Sequence, residues 1–296
     1  MAEIQIYIAT YNRPKTVLVS VNSVLAQTFK SFELIVSDNS DNNETQSILS
    51  NIKDEKFKYI KRKVLYTGLE HLNLILSEIT ANYFMIFHDD DVMHPGMVGK
   101  LQSFLNDNSN IVAVGANARK VKNGKLTNLF LHSKNDILIK SPKELVIRYL
   151  IKNGIVPFPS YMYRLDVAKN LKLNTKNGGK YCDVSFLMDV TTLGPIKFLS
   201  MPLMDYYIHS GQDSSANESL QKATLINYIV KKAGIDRNSR LMKKYRMYNF
   251  YVEFRTLKKE MNYSKRRLFE IYCIFFRWSP FKFFPKVLKK SILNSW

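Results

Sequence analysis

Short apolar runs alternate with amphipathic stretches through the first third of the chain. Runs rich in β-branched and aromatic residues are typical of buried strands, and apolar residues at helical spacing are typical of helices. Strands are predicted at residues 4–9, 32–37, 57–61 and 83–87, and helices at 16–27, 44–52 and 69–81. Strands that alternate with helices predict a parallel sheet covered on both faces. Right-handed crossovers then bring the loops after these strands to one edge.

The alternation becomes irregular after residue 96. Helices are predicted at 97–106, 142–152 and 181–190, a strand at 111–115, and a hairpin that joins 118–121 to 126–131. From residue 220 onward the pattern predicts helices at 221–233, 239–261 and 264–277. We therefore expect an α/β domain over residues 1–219, with halves at 1–96 and 97–219, followed by a helical region over 220–296.

The composition is that of a globular protein, and the positive charge is concentrated near the C-terminal end. The chain is 46% hydrophobic and 23% charged, which excludes extended disorder. Of the net charge of +19, residues 220–296 hold 19 Lys and Arg against 4 Asp and Glu, or +15. Residues 1–219 hold 25 against 21, or +4. This asymmetry indicates an anionic surface as a partner.

The cysteine content and the termini point to a reduced cellular compartment. Cys182 and Cys273 are too few for a disulfide framework or a structural zinc site. The first predicted strand begins almost at the N-terminus, without the pattern of a signal sequence. No apolar run reaches the roughly 20 residues that cross a bilayer. We expect a cytoplasmic protein.

Three consecutive carboxylates, Asp89, Asp90 and Asp91, follow the fourth predicted strand. Three like charges in a row are unfavourable unless a cation neutralises them, and ligands of open parallel sheets bind at the carboxyl ends of strands. Mg²⁺ and Mn²⁺ take oxygen ligands, typically one or two carboxylates together with substrate phosphates. The triplet predicts a metal and diphosphate site, with a solvated acidic turn before Pro95 as the alternative.

Polar loops after the other strands are expected at the same edge and carry a family resemblance. Residues 8–14 read IATYNRP, residues 32–38 read FELIVSD, and Gly68 and Asn73 precede the fourth strand. With these motifs, the chain over residues 3–215 resembles the family 2 glycosyltransferases. The resemblance implies a Rossmann-like glycosyltransferase-A fold, with a mostly parallel sheet flanked by helices and a basic helical C-terminal region.

The resemblance also implies a nucleotide diphosphate sugar donor, UDP-linked, bound by the half that spans residues 1–96. Asp38 would accept a hydrogen bond from the nucleobase, and Tyr11 would stack on the base. Thr10, Arg13 and Asp89 would complete the nucleotide-sugar site, with Asp89 on the ribose or sugar hydroxyls. The alternatives are a turn or N-cap role for Asp38 and a core-edge position for Tyr11.

The metal motif departs from the usual pattern of the family. Its Asp-x-Asp-Asp sequence, anchored on Pro95, places His88 at the position of the first aspartate. The resemblance implies Asp90 as the ligand of Mn²⁺ or Mg²⁺, with Asp91 as a further ligand, a sugar contact or a helix cap. His209 lies where the family has a histidine that completes the metal sphere. His88 is an auxiliary ligand or a core-edge histidine.

The half that spans residues 97–219 must supply a base, because a neutral sugar hydroxyl is a poor nucleophile. The segment 178–183 resembles the acceptor side of the family site, with Cys182 in place of a glutamate. Asp183 is the candidate catalytic base, and its alternative role is an N-cap. Asp189 is a weaker candidate because it faces away at helical spacing. We expect residues 158–163 to line the acceptor pocket and the reaction to invert the anomeric centre.

Residues 239–296 mix basic and aromatic side chains, a composition suited to the headgroup region of an anionic leaflet. We therefore expect a peripheral enzyme at the inner face of the cell membrane, which uses a saccharide or lipid-linked acceptor in cell-surface polysaccharide synthesis. An oligomer contact is the alternative for this surface, and nucleic acid is not expected. Competing functions are nucleotidyl transfer, sugar-nucleotide binding and nucleic-acid binding; the loop 10–15 lacks the glycine of a phosphate loop.

Overall fold

The computed structural model describes residues 2–150, 154–209 and 219–259, together with residues 270 and 273. The strands are β1 Ile4–Thr10, β2 Phe32–Asp38, β3 Phe57–Lys61, β4 Tyr83–His88, β5 Val92–Met93, β6 Ala113–Lys122, β7 Lys125–Leu129, β8 Ile137–Ile139, β9 Tyr161–Arg164 and β10 Ile196–Ile208. The helices are α1 Pro14–Leu25, α2 Glu44–Leu49, α3 Gly68–Glu78, α4 Met97–Asp107, α5 Pro142–Tyr149, α6 Leu165–Asn170, α7 Thr175–Gly178, α8 Cys182–Leu193, α9 Ser219–Ala233 and α10 Arg240–Lys259.

The described strands form a single mixed sheet in the order β3-β2-β1-β4-β9-β6-β10-β5. Strands β1, β2, β3 and β4 are mutually parallel, as the alternation of strands and helices predicts. Strand β9 runs antiparallel to both of its neighbours, β4 and β6, while β10 runs parallel to β6. The carboxyl ends of β1, β2 and β4 therefore share one edge, where their loops meet.

Apolar side chains fill both faces of the sheet, because neighbouring residues of a strand point to opposite faces. In β1, Ile4, Ile6 and Ile8 belong to a core under α1, α2 and α4, whereas Tyr7 belongs to the other core. That second core lies under α3, α5, α8, α9 and α10. Helices α9 and α10 are thus packed on the sheet domain, through Leu225, Ile229, Met242 and Phe250 among others.

The second half of the sheet differs from the sequence-based expectation. Residues 158–163 were expected to line the acceptor pocket, but Tyr161–Arg164 is strand β9, and Tyr161 and Tyr163 are buried. Four residues beside a proline-rich segment carry too little periodicity to reveal a strand. Strand β10 was missed because Pro202 interrupts it; the ladder accommodates this proline with register shifts on both sides.

A buried asparagine ties the middle of the sheet to its irregular strand. The Asn117 side chain accepts from the N–H groups of Ala118 and Leu131, and it donates to the carbonyls of Leu131 and Ser200 at 2.9 and 3.1 Å. Its exposure is zero. Since Ser200 lies at the bulge of β10, Asn117 helps to fix the course of the strand that ends before His209.

A second buried network supports the carboxyl end of β2. Arg62 Nε donates to Ser37 Oγ at 2.7 Å, and Ser37 Oγ lies 2.5 Å from His71 Nε2. Arg62 also pairs with Glu78 through two contacts of 2.6 Å. Burial, and then the charge of Arg62, lowers the pKa of His71 from 6.5 to about 4. His71 is therefore a neutral imidazole within the fold at neutral pH.

Helices α9 and α10 confirm the predicted helices at 221–233 and at the start of 239–261. The predicted helix at 264–277 lies outside the described residues, apart from residues 270 and 273. In the ranges that the structure describes, no helix combines the length and apolar character needed to cross a membrane.

Candidate active site

The ends of three parallel strands bring the predicted donor-site residues together. Thr10 is paired in register with Asp38, and Ala9 with His88. The loops after β1 and β2 are also tied to each other, because Asn39 N–H donates to the Thr10 carbonyl at 3.0 Å. The carboxylate triplet that follows β4 therefore lies beside both nucleotide-side loops.

Asp89 and Asp90 share a guanidinium group from the loop after β1. Arg13 Nη1 lies 3.0 Å from Asp89 Oδ1 and 3.0 Å from Asp90 Oδ2. Asp89 Oδ2 also accepts from the Thr10 hydroxyl at 2.8 Å. His209 Nε2 lies 2.8 Å from the same Asp90 Oδ2. The structure thus joins predicted residues that are separated by up to 119 positions in the chain.

Asp91 is held by residues of β10 and α1 and is fully buried. Its Oδ1 accepts from the Tyr207 N–H at 2.9 Å, and its carbonyl accepts from the Ser20 hydroxyl at 2.7 Å. Burial raises the pKa of the Asp89 and Asp91 carboxyls, and the nearby Asp90 charge acts in the same direction. Arg13 opposes the shift at Asp89, and His88 opposes it at Asp91.

Two carboxylate oxygens of the triplet lack hydrogen-bond partners among the described residues. They are Asp90 Oδ1 and Asp91 Oδ2, and both are buried. One ligand atom each from His88, Asp90 and Asp91 lies within 4.8 Å of the others. Leaving buried carboxylate oxygens without partners is unfavourable, and a divalent cation would remove that penalty. The residues at this edge therefore fit an oxygen-preferring divalent metal.

Asp38 lies at the edge as predicted, but its carboxylate is engaged within the protein. Its exposure is zero, and Oδ1 accepts from the Ser40 N–H at 2.8 Å. Oδ2 accepts from the Tyr59 hydroxyl at 2.5 Å and lies 3.4 Å from Lys61 Nζ. Burial, and then the hydrogen bond to Asp38, raises the pKa of Tyr59 well above its usual range.

Tyr11 projects from the loop after β1 with 49% of its surface exposed. Its hydroxyl donates to Asp41 Oδ2 at 3.2 Å. The next residue, Asn12, has φ of +52°, a left-handed conformation that asparagine tolerates better than most residues. Asn12 N–H donates to Ser40 Oγ at 2.8 Å, so this turn is braced against the neighbouring loop.

Asp183 occupies the first turn of α8 and is partly buried. Gly179 just before it has φ of +60°, where a side chain would be strained and would meet Gln221. Burial raises the pKa of Asp183, whereas the Val184 N–H and the charge of His88 lower it. His88, the residue before the triplet, is thus one of the charges that act on Asp183.

The charge of Asp183 acts on three buried tyrosines. Burial raises the pKa of Tyr149, Tyr161 and Tyr163 well above the usual value, and the charge of Asp183 adds to each shift. Asp189 is directed elsewhere, since it accepts from the Tyr228 hydroxyl at 2.5 Å and lies 3.1 Å from Lys232 Nζ. These contacts agree with the expectation that Asp189 faces away from the site and is a weaker candidate base than Asp183.

Several residues that hold the site were not identified from the sequence. Tyr59 and Lys61 contact Asp38, and Ser20 and Tyr207 contact Asp91. Arg62 and Lys63 form the basic pair that follows β3, but Arg62 is used in the buried network, and the residue that reaches Asp38 is Lys61 at the end of the strand. Ser20 and the Tyr207 N–H leave no sequence signal, because their partners are set by packing between distant elements.

Comparisons with known proteins identify relatives of this chain. The model of the family described as Glycosyl transferase family 2 matches residues 5–171. An uncharacterized glycosyltransferase of Haemophilus influenzae is 26% identical over 246 residues, which cover 79% of this chain and 76% of that protein. The Escherichia coli UDP-Glc:alpha-D-GlcNAc-diphosphoundecaprenol beta-1,3-glucosyltransferase WfaP is 32% identical over 91 residues, or 31% of this chain and 36% of that enzyme.

A solved structure shares the fold. The structure of S. aureus TarS 1-349 in complex with UDP-GlcNAc superposes with a TM-score of 0.63, at 17% identity, over 86% of this chain and 73% of that one. The expected α/β fold of glycosyltransferase-A type is confirmed by this likeness together with the ten-stranded sheet flanked by helices.

Proposed function

The chain belongs to glycosyl transferase family 2, and we propose that it transfers a sugar from a UDP-linked donor to a lipid-linked saccharide, with inversion at the anomeric carbon. One observation carries the donor side of this proposal. Two buried carboxylate oxygens that lack a hydrogen-bond partner among the described residues lie next to the loops after β1 and β2. A metal-bound diphosphate is the ligand that suits such a site.

On the donor side, Asp90 and Asp91 would hold a divalent cation, with His209 in contact with Asp90 at 2.8 Å. When bound, the cation acts as a Lewis acid that neutralises the leaving diphosphate. Thr10 and Arg13 orient Asp89 through contacts of 2.8 and 3.0 Å. In this orientation Asp89 would bind hydroxyl groups of the ribose or the sugar. The exposed Tyr11 ring offers a stacking surface for the base.

The role of Asp38 as a contact to the base depends on the position of Tyr59. Its Oδ2 is already occupied by the Tyr59 hydroxyl, so a hydrogen bond to the base requires that Tyr59 moves or shares the oxygen. Both arrangements keep the carboxylate anchored by the Ser40 N–H on Oδ1. Asp38 therefore acts as a base contact or as a brace for the loop that carries Asp41.

On the acceptor side, Asp183 would accept the proton of the attacking hydroxyl. The acceptor oxygen forms a bond to the anomeric carbon as the bond from that carbon to the diphosphate oxygen breaks. The bonding electron pair leaves with the diphosphate, and the proton moves to the Asp183 carboxylate. Burial raises the pKa of Asp183 toward the working pH, which strengthens a general base. A single displacement of this kind inverts the configuration.

The C-terminal helices supply a surface for an anionic leaflet. Lys244, Tyr248 and Tyr251 lie on one exposed stripe of α10, at helical spacing. Tyr248 and Tyr251 are 57% and 45% exposed, which suits aromatic anchors at a membrane interface. Each basic residue near such a surface contributes about 1 kcal/mol. This surface would hold the enzyme at the inner face of the membrane, where a lipid-linked acceptor resides.

A thermal-shift assay of the full chain with UDP, MnCl₂ and both together tests the donor site. We expect a rise in melting temperature that requires both, because the cation bridges the carboxylates and the diphosphate. Asp90→Asn should abolish the rise, and Asp107→Asn, an exposed change at the end of α4, should leave it intact. No rise with any nucleoside diphosphate would exclude the donor site, and a rise without metal would exclude the metal dependence.

Flotation with vesicles tests the membrane surface separately. Binding to vesicles that contain phosphatidylserine, and not to pure phosphatidylcholine, is expected for the wild type. The double change Lys244→Glu and Tyr248→Ala should weaken this binding, whereas Lys53→Glu, an exposed control on the loop after α2, should not. Equal flotation of both variants would remove α10 from the proposal and leave the donor site untouched.

A further inference from the structure

His88 stands at the position where the usual family motif has its first aspartate, and its imidazole lies on the side of the unpartnered carboxylate oxygens. His88 Nδ1 is 3.5 Å from Asp91 Oδ2. Among the described residues, His88, Asp90 and Asp91 form the group whose ligand atoms lie within 4.8 Å of one another. A nitrogen donor thus joins two carboxylates at this edge.

In each of the two carboxylates, Asp90 and Asp91, one oxygen is engaged by groups of the protein. Asp90 Oδ2 contacts Arg13 and His209, and Asp91 Oδ1 accepts from the Tyr207 N–H. The other two oxygens, Asp90 Oδ1 and Asp91 Oδ2, are buried and have no hydrogen-bond partner in the described ranges. The side chain of Asp91 has zero exposure and that of Asp90 has 6%. Two buried carboxylate oxygens without hydrogen bonds, one of them 3.5 Å from an imidazole nitrogen, offer the ligand atoms of a cation site.

We propose that His88 is a ligand of the divalent cation, together with Asp90 and Asp91, and that this nitrogen donor makes the site favour Mn²⁺ and Co²⁺ over Mg²⁺. The inference rests on the proposed function, because it specifies the metal site of the same donor pocket. Imidazole is a better donor for later transition metals, whereas Mg²⁺ prefers an all-oxygen set. The replacement of an aspartate by His88 therefore changes the chemistry of the site as well as its charge.

The competing role for His88 is purely structural. The imidazole faces Asp91 from its own segment and the Tyr206 ring of β10, whose centroid is 6.5 Å away. In that role His88 would only orient Asp91. The two roles differ in whether a histidine nitrogen other than that of His209 is bound directly to the metal.

Pulsed electron paramagnetic resonance of Mn²⁺ distinguishes these roles. The probe is MnCl₂ with UDP, bound to the full chain carrying His209→Ala, so that the second histidine of the site is removed. We expect ¹⁴N modulation from a directly bound imidazole in this variant, and its replacement by a ¹⁵N pattern when the histidines are ¹⁵N-labelled. Adding His88→Gln should abolish the signal.

Metal selectivity provides the second measurement. By calorimetry with UDP present, His88→Asp should lower the preference for Co²⁺ over Mg²⁺ by about tenfold, because it restores an all-oxygen set. Thermal melting of each variant without metal verifies that it is folded. If a variant does not fold, the wild-type affinity for Co²⁺ relative to Mg²⁺ still tests the inference, and equal affinities would overturn it.

The outcomes separate this inference from the proposed function. If Mn²⁺ binds with UDP but His209→Ala removes all nitrogen coupling, His88 is not a ligand and only this inference fails. An unchanged metal preference in His88→Asp would likewise overturn it. If Mn²⁺ does not bind even with UDP, the donor-site proposal itself fails.

Discussion

Replacing Asp183 by asparagine removes the proposed proton acceptor while preserving the size of the side chain. General base catalysis typically contributes about 10²- to 10⁴-fold to a rate, or about 3–5 kcal/mol in activation free energy. The other acid in α8, Asp189, is held by Tyr228 and Lys232 and cannot take over the role. We therefore expect kcat to fall by about 10²-fold or more, with little change in the KM for the donor.

The raised pKa of Asp183 leads to two further expectations, one for the pH dependence of kcat and one for stability. A base must be unprotonated, so wild-type kcat should fall as the pH drops below the raised pKa, and this limb should be absent from the residual activity of Asp183→Asn. An acid whose folded pKa lies above its unfolded value loses stability as the pH rises through that interval. At neutral pH, Asp183→Asn should therefore be at least as stable as the wild type.

Steady-state transfer from a UDP-sugar to a saccharide acceptor, over a range of pH, is the appropriate assay. Asp189→Asn is the matched control, because it makes the same chemical change six residues later in the same helix. It should retain most of its kcat although it loses a charged contact with Lys232. If Asp183→Asn kept kcat within about threefold of the wild type, Asp183 would not be the base.

Three further expectations concern the scaffold, all measured by urea unfolding. Asn117→Ala should cost about 3–5 kcal/mol, because it leaves several buried peptide groups without partners, and a loss below about 1 kcal/mol would contradict that account. The wild type should lose about 2 kcal/mol between pH 7 and pH 5, since His71 titrates near 6.5 unfolded and at about 4 folded; a pH dependence that is equally large in His71→Gln would refute this source. Gly115→Ala should cost about 1–3 kcal/mol, because its Cβ would lie 2.6 Å from Val156 and 2.8 Å from Tyr161, whereas Gly68→Ala, with no described atom within 4 Å, serves as the neutral control.

The parallel half of the fold could be predicted because its signals are local. Strands β1 to β4 are each rich in β-branched, aromatic and other apolar residues, and α1 and α3 carry apolar residues at helical spacing. The predicted boundaries of these elements differ from the structure by at most three residues. The missed strands, β5, β8, β9 and β10, are short or interrupted, and their pairing partners are distant in sequence.

The sequence predicted which candidate donor-site residues lie at the same edge of the sheet. It did not predict the contacts between them. The parallel topology places Thr10, Asp38 and Asp89 at one edge, and the structure brings them there. Which atom binds which partner was not predictable. The engagement of Asp38 by Tyr59 depends on the register between β2 and β3, and a register is set by packing across strands.

The sequence by itself determined the family, the alternating βα order and the residue types of the site, because each of these is written in short, contiguous patterns. Only the tertiary structure decided that β10 returns beside β6 and delivers His209 to Asp90, and that Tyr207 holds Asp91. It also decided that His88 Nδ1 lies 3.5 Å from Asp91 Oδ2. These contacts join residues up to 119 positions apart, and no local propensity encodes a distance of that kind.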